Sequence, residues 1–270
     1  MNSIFQIGSE LTPARGSLLA IQAGKSHLSY SLTNRGGDEL YKLHYFSVEN
    51  WTKETLEKLL ATLPEAETVY PTVEFAFETD EFTLFPVAGF QDDKLLATHY
   101  ALHPYSDNSL FKKDSLAEWQ LYVGYTIPSL LINALHNRYS ELRTRHYIKL
   151  ALQQAGQSDM QGNLIVEIRL NHIFILLLRN NRFLFAKEFF YETPTDVLYY
   201  LLKICEDQLL TTSEVEVELM GLIEKDSSLY KELSQYFTYL AFREATWKMA
   251  QNEFPAHYFT SLNYLAKCAL

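Results

Sequence analysis

The chain has 270 residues, 47% of them hydrophobic and 21% charged, enough to bury one large core or two smaller ones, of which two is the expectation. Its 23 Lys and Arg stand against 33 Asp and Glu, giving a net charge of -10 and a pI near 5.3; this balance opposes attraction to phosphate backbones, and no nucleic acid partner is expected. Cys205 and Cys268 make no disulfide framework, Met1 to Leu18 lacks a basic start followed by an apolar run, and runs such as Ile173 to Leu178 fall far short of a bilayer span. A cytoplasmic location without membrane insertion follows as an expectation.

In chain order, Leu18 to Gln22, His27 to Thr33 and Leu40 to Phe46 read as three strands, broken by Gly24 and by the turn Arg35-Gly36-Gly37-Asp38. A helix follows, capped by Asn50 or Thr52, with Leu56, Leu59, Leu60 and Leu63 at helical spacing before Pro64. Val69 to Phe77 and Phe82 to Val87 are further strands, Gln120 to Ile127 another, and Ser129 to Tyr139 a helix. Arg143 to Gln154 fits either strand or helix. After the polar stretch Gln153 to Gly162 the order restarts: strands at Leu164 to Ile168, Ile173 to Arg179 and Phe183 to Phe190, then a helix capped by Thr193 with Pro194 at its first position, then a strand from Val215 to Leu219. A helix around Leu229 to Phe237, a strand around Tyr239 to Glu244 and a terminal helix opened by Pro255 close the chain.

Setting His27 over His172 (172 - 27 = 145) also sets Gln22 over Glu167, Tyr45 over Phe190 and Leu56 over Leu201. A single offset through four elements points to a duplicated unit. The aromatic share of 14%, with 18 Tyr and 17 Phe, either fills strands or marks interaction surfaces.

A hairpin, a third strand, then alternating helix and strand, occurring twice, resembles the two ribonuclease-H-like halves of the actin-like ATPase superfamily. Glu81-Phe82-Thr83-Leu84-Phe85-Pro86 with the Gly89 to Leu96 stretch, Tyr122 to Ile132 and Asn163 to Phe190 are similar to an uncharacterised bacterial family, domain-of-unknown-function family 3822. The resemblance implies an α/β chain of two ribonuclease-H-like domains with mixed sheets flanked by helices. Residues 1–155 would form one domain and 156–270 the other, across a cleft, with the final helix 255–270 returning to the first.

The superfamily's active members carry Asp-x-Gly-Thr/Ser in the first hairpin, Asp-x-Gly-Gly-Gly-Thr in the second, and a Gly-Gly adenosine turn after a later strand. At these positions the chain has Gln22, Gly24 and Ser26, then Glu167-Ile168-Arg169-Leu170-Asn171-His172, then Gly221. Gln22 has no charge to hold a magnesium shell, and Arg169 and Leu170 stand where phosphate requires bare backbone. On this basis Gln22, Gly24, Ser26, Glu167 and Gly221 mark a degenerate nucleotide site with no catalytic residue, no metal ligand and no cofactor. The expected function is that of a pseudoenzyme, a scaffold or binding module for an unidentified protein partner. The alternative is a nucleotide-binding protein or weak ATPase or kinase, with ATP and magnesium held through Glu167 and Gly24.

Other readings compete at single residues. Glu167 and Arg169 could face outward on an alternating strand, with Val166, Ile168 and Leu170 inward; Lys25 and Arg169 could instead neutralise an anion. His99 and His103 stand four apart, as in a helical metal pair, but no carboxylate lies at ligand spacing beside them and a structural role is expected. His136 and His146, with Arg138, Arg143 and Arg145, read as a solvated helix end and loop. No Walker loop, G-x-S-x-G elbow, Cys-x-x-Cys pair or zinc-protease helix occurs.

Overall fold

A computed structural model of the protein describes residues 1–8, 16–66, 72–249 and 254–268. Its contacts divide the chain into two units, one of Met1–Leu150 with Trp247–Gln251 and Leu262–Leu270, the other of Ala151–Thr246 with Asn252–Ser261.

The first unit opens with β1 (Asn2–Gly8), β2 (Leu18–Ala23), β3 (His27–Thr33) and β4 (Glu39–Ser47). β2 and β3 are buried along their whole lengths, which is why both run nearly without interruption in apolar and small residues. At the turn into β4, Asn34 Oδ1 accepts the amides of Asp38 and Glu39 at 3.0 and 3.2 Å, and Gly37 takes φ +68°, a conformation that glycine adopts without strain. α1 (Lys53–Thr62) is capped by Thr52, whose side chain accepts the Thr55 amide, and buries Leu56 and Leu59. β5 (Thr72–Phe77) then runs parallel to β2; positions 69–71 of the strand expected there lie outside the described residues.

β6 (Phe82–Pro86), α2 (Asp92–Leu102), β7 (Ser109–Leu116) and β8 (Leu121–Pro128) follow, and the three strands form a separate antiparallel sheet in the order β6-β8-β7. α3 (Ser129–Arg138), β9 (Glu141–His146) and α4 (Tyr147–Gln153) come next. The ambiguous Arg143 to Gln154 stretch is therefore both strand and helix, changing at Tyr147.

The second unit holds β10 (Gly162–Ile168), β11 (His172–Arg179), β12 (Arg182–Phe190), α5 (Pro194–Asp207), β13 (Val215–Gly221), α6 (Ser228–Tyr236) and β14 (Tyr239–Phe242). α5 begins with a reciprocal capping box between Thr193 and Asp196, and its apolar face, Val197, Leu198, Leu201 and Cys205, closes on the odd-numbered core residues Ile173, Ile175 and Leu177 of β11. The short β15 (Lys248–Met249) and the C-terminal α7 (Thr260–Lys267), preceded by a 3-10 turn at Ala256–Phe259, complete the elements. Within the first unit β15 pairs with β4, and Asn263 donates to the Gly37 carbonyl at 3.2 Å.

Among the described residues, the larger sheet of the first unit runs β1-β4-β3-β2-β5-β9 with β15 also on β4, and the sheet of the second runs β12-β11-β10-β13-β14. Removing β1 and β15 leaves two sheets of identical order and identical strand directions. The duplication therefore holds, and the offset of 145 holds through the first hairpin, since Gln22 pairs with Ser29 as Glu167 pairs with Phe174. It fails afterwards. Ser29 pairs with Tyr45 but Phe174 pairs with Glu188, so Tyr45 matches Glu188 (188 - 45 = 143), not Phe190. The helix caps Thr52 and Thr193 differ by 193 - 52 = 141, which places Leu56 over Val197, not Leu201. Two shorter connections are the cause: Asn180 and Asn181, at φ +49° and +58°, turn the chain where the first unit uses Asn34 to Asp38, and two residues, 191–192, lead from β12 to the cap Thr193 where four, 48–51, lead from β4 to Thr52.

Candidate functional site

Gln22, Gly24 and Ser26 belong to the first unit and lie at the β2–β3 hairpin. The Gly24 amide donates to the His27 carbonyl at 2.9 Å, the Glu78 amide donates to the Ala23 carbonyl at 2.8 Å, and the Val48 amide donates to the Ser26 carbonyl at 2.8 Å. Trp51 Nε1 donates to the Gly24 carbonyl at 3.0 Å. Beneath this frame Gln22, buried in β2, gives its side-chain amide to Glu78 Oε1 in a close hydrogen bond. The other Glu78 oxygen lies 3.2 Å from His27 Nε2, and the His27 ring stacks at 5.6 Å on Tyr45. A Cβ on Gly24 would fall 2.8 Å from His27 Cε1 and 3.1 Å from Nδ1. Any side chain at this position would require the histidine ring folded against it to shift.

Glu78 is the residue that sequence reading missed. It follows the apolar run of β5 directly and is 2% exposed; an acid closing an apolar strand beside an expected hairpin was the available signal. Lys25, in the turn, is half exposed and pairs with Asp80 and Glu81 at 2.5 and 3.1 Å.

Glu167 and Gly221 belong to the second unit. Glu167, 5% exposed, accepts Ser261 Oγ at 2.8 Å on one oxygen and Arg169 Nη2 at 3.2 Å on the other. Arg169, also 5% exposed, reaches Glu188 Oε1 at 3.4 Å and sets its guanidinium 5.9 Å from the Phe174 ring. The Arg169 amide donates to the His172 carbonyl at 2.9 Å, while Tyr191 OH donates to the Arg169 carbonyl at 2.8 Å. The alternating-strand reading is overturned: Glu167 and Arg169 are buried together, and Leu170, expected inward, is 41% exposed, because the chain turns at that residue. Solvated or anion-facing charge at Arg169 is overturned for the same reason, since two carboxylates already take its guanidinium.

Gly221 ends β13 at φ +84°, where a Cβ would stand 2.1 Å from the Ile168 carbonyl oxygen. Close approach of β10 and β13 makes the glycine obligatory there; the next amide, on Leu222, donates to that carbonyl at 2.7 Å.

Two further clusters resolve structurally. His99 Nδ1 lies 3.1 Å from Thr83 Oγ1 and His103 Nε2 lies 3.1 Å from the Phe82 carbonyl. Burial, and then the charge of His103, lower the His99 pKa to about 4. The basic patch is solvated only in part: His136, in the last turn of α3, and Arg143 are exposed, as expected, but the other three are held inside. His146 is 1% exposed, Arg145 is bonded to the buried Glu74, and Arg138 Nη2 donates to the Leu63 and Pro64 carbonyls at 2.9 and 3.1 Å.

The repeated sheet order and paired hairpins define the actin-like ATPase fold, and solved structures agree. A protein of that fold and unknown function from Bacteroides thetaiotaomicron VPI-5482 matches with a TM-score of 0.76 at 18% identity, over 96% of this chain and 99% of that one. A PilM-PilN type IV pilus biogenesis complex matches at 0.62, with 12% identity over 95% of this chain and 99% of that one. The ethanolamine utilization protein EutJ from Carboxydothermus hydrogenoformans matches at 0.51, with 11% identity over 97% and 92%. Within that class the chain belongs to DUF3822, a family of unknown function whose model matches residues 10–240. No curated protein matches. Among the described residues no helix is long and apolar enough to cross a membrane.

Proposed function

We propose that this chain is a non-catalytic protein of the actin-like fold, a scaffold or binding module for a protein partner whose phosphate hairpins are filled by its own side chains. The observation that carries this reading is the burial of Arg169 on Glu167 and Glu188, at the hairpin position where a phosphate-binding loop requires a residue without a side chain. The first hairpin supports it independently. Gln22 gives its amide to Glu78, and the open side of Gly24 is covered by His27. Neither hairpin by itself favours magnesium: in the first, the Glu78 carboxylate is held by the Gln22 amide and faces His27, and in the second the Glu167 carboxylate is neutralised by a guanidinium. A protein partner is in keeping with the PilM of similar fold, which stands in a complex with PilN.

Isothermal titration of the full chain with ATP and with ADP, each with and without magnesium, tests the reading. No heat of binding is expected up to millimolar nucleotide. Micromolar binding, or magnesium-dependent hydrolysis abolished by Glu167→Ala, would overturn it.

A further inference from the structure

Helix α5 ends on a leucine where glycine is the ordinary choice. The Leu209 amide donates to the Glu206 carbonyl at 3.0 Å and the Leu210 amide to the Cys205 carbonyl at 2.9 Å, the two bonds of a Schellman motif, which set Leu209 just past the helix cap. Its φ is +53°, a conformation that crowds the Cβ of any residue but glycine. The side chain is 85% exposed, so the strain is not offset by burial. Glycine would close the same turn without that cost, and the fold itself gains nothing from a leucine there.

The β11–β12 hairpin reaches the same end of the second unit. Arg179 Nη1 donates to the Gln208 carbonyl, next to Leu209, at 2.8 Å. Arg179 also lines a hollow of about 530 Å³ together with Asn180, Arg182, Phe183 and Leu184. Leu184 is the extra residue of a β-bulge, since Leu178 pairs with Phe183 and Leu177 with Phe185, and it is 44% exposed; bulges re-aim side chains in this way. Two leucines at irregular backbone positions are thus turned outward, with Arg179 reaching from one to the other.

Charge marks the hollow as well. Arg179 and Arg182 stand directly opposite each other in the ladder, a pairing of like charges that is unfavourable on its own. No carboxylate lines the hollow, and neither arginine makes an ion pair among the described residues. The acids of the neighbouring segments are engaged elsewhere: Glu206 and Asp207 pair with Lys203. Glu214, whose charge interacts with Arg179, accepts Thr211 Oγ1 and the Gln161 side-chain amide.

We infer that this end of the second unit docks a partner protein, which buries Leu209 and Leu184 against apolar side chains and sets a carboxylate in the hollow on Arg179 and Arg182. The inference rests on the protein-binding reading above and names where the partner sits. A second copy of the chain is not the expected occupant, because a net charge of -10 sets copies against one another.

The test uses the full chain, immobilised, and a displayed library of random dodecapeptides. Peptides that bind are expected to share an acidic residue beside large apolar ones. Leu209→Gly separates binding from folding: relief of the strained turn should raise the thermal midpoint by about 2–4 °C, while loss of the anchor should weaken the peptides about tenfold. Arg182→Glu should weaken them by a similar factor, and exchanging the peptide's acid for Lys should restore binding to that variant. Both positions are exposed, and circular dichroism checks that the variants fold. Equal binding to wild type and Leu209→Gly, a lowered midpoint in that variant, or a library without binders would overturn the assignment. So would self-association of the chain that Leu209→Gly abolishes, which would put a second copy there. Peptides bound at another surface would leave the protein-binding reading standing, and only nucleotide binding in the titration removes that.

Discussion

The two hairpins have the same backbone and opposite electrostatics. In each, the amide of the first turn residue donates to the carbonyl three residues on, Gly24 to His27 and Arg169 to His172, at 2.9 Å. In each, a ring side chain from the segment before the following helix, Trp51 or Tyr191, donates to that first residue's own carbonyl. The side chains diverge. The first unit has the amide of Gln22 at this strand position and carries its carboxylate on Glu78, facing His27. The second has a carboxylate there, Glu167, and supplies the counter-charge from Arg169, at the position equivalent to Gly24. A buried carboxylate needs a partner cation or polar donors, and here each hairpin finds them inside its own unit.

The largest expected break of this comparison is Arg169→Ala. It leaves Glu167 and Glu188 without their guanidinium, one of them deeply buried, and should destabilise the second unit by about 3–5 kcal/mol, read by urea unfolding. Adding Glu167→Gln should recover a good part, because the uncompensated charge is the main penalty; no recovery would show that Arg169 acts through packing on Phe174.

Gly221→Ala is expected to be next. Its counterpart in the first unit is Phe77, which accepts a large side chain at ordinary backbone angles, whereas Gly221 combines positive φ with a carbonyl 2.1 Å from any Cβ. About 1–3 kcal/mol of backbone strain is expected, as a lowered thermal midpoint, while Phe77→Ala should behave as an ordinary cavity mutation.

The last effect, graded with pH rather than fixed, is acid sensitivity in the first unit. Burial, and then the charge of Lys42, lower the His44 pKa from 6.5 to about 4, and His99 shifts to a similar value. Since the unfolded chain binds these protons more readily, the stability they confer is complete above about pH 6.5 and is lost as pH falls toward 4. Denaturant unfolding at a series of pH values between 7 and 4 should show this slope, and His44→Gln should flatten it; an unchanged slope would count against His44.

Much of the fold was legible because its signals are local: apolar periodicity in α1 and α5, the caps Thr52 and Thr193, and the turn residues around Gly37 and Asn180. α2 and β7 carry weak signals. α2 buries only Leu95 and His99 and its first turn has no side-chain cap, and β7, Ser-Leu-Phe-Lys-Lys-Asp-Ser-Leu, does not alternate. The hairpin positions were singled out through the family resemblance, but their surroundings were not legible. Glu78 is 56 residues from Gln22 and Ser261 is 94 from Glu167, separations across which no periodicity speaks. The gapless repeat offset failed for a related reason: turn length and strand register change the count without changing the hydrophobic pattern.

The discontinuous make-up of the first unit also bears on how the chain folds as it is synthesised. All five strands of the second sheet lie between Gly162 and Phe242, so that sheet is complete once a single continuous stretch has been made. The first sheet receives β15, and its unit receives Leu262–Leu270, from the far end of the sequence. Segments made first must therefore wait for those made last, with long loops to close. N-terminal domains usually fold first on the ribosome; here the order of completion is reversed, and β4 spends translation without the strand that covers its edge at Glu39 and Leu40.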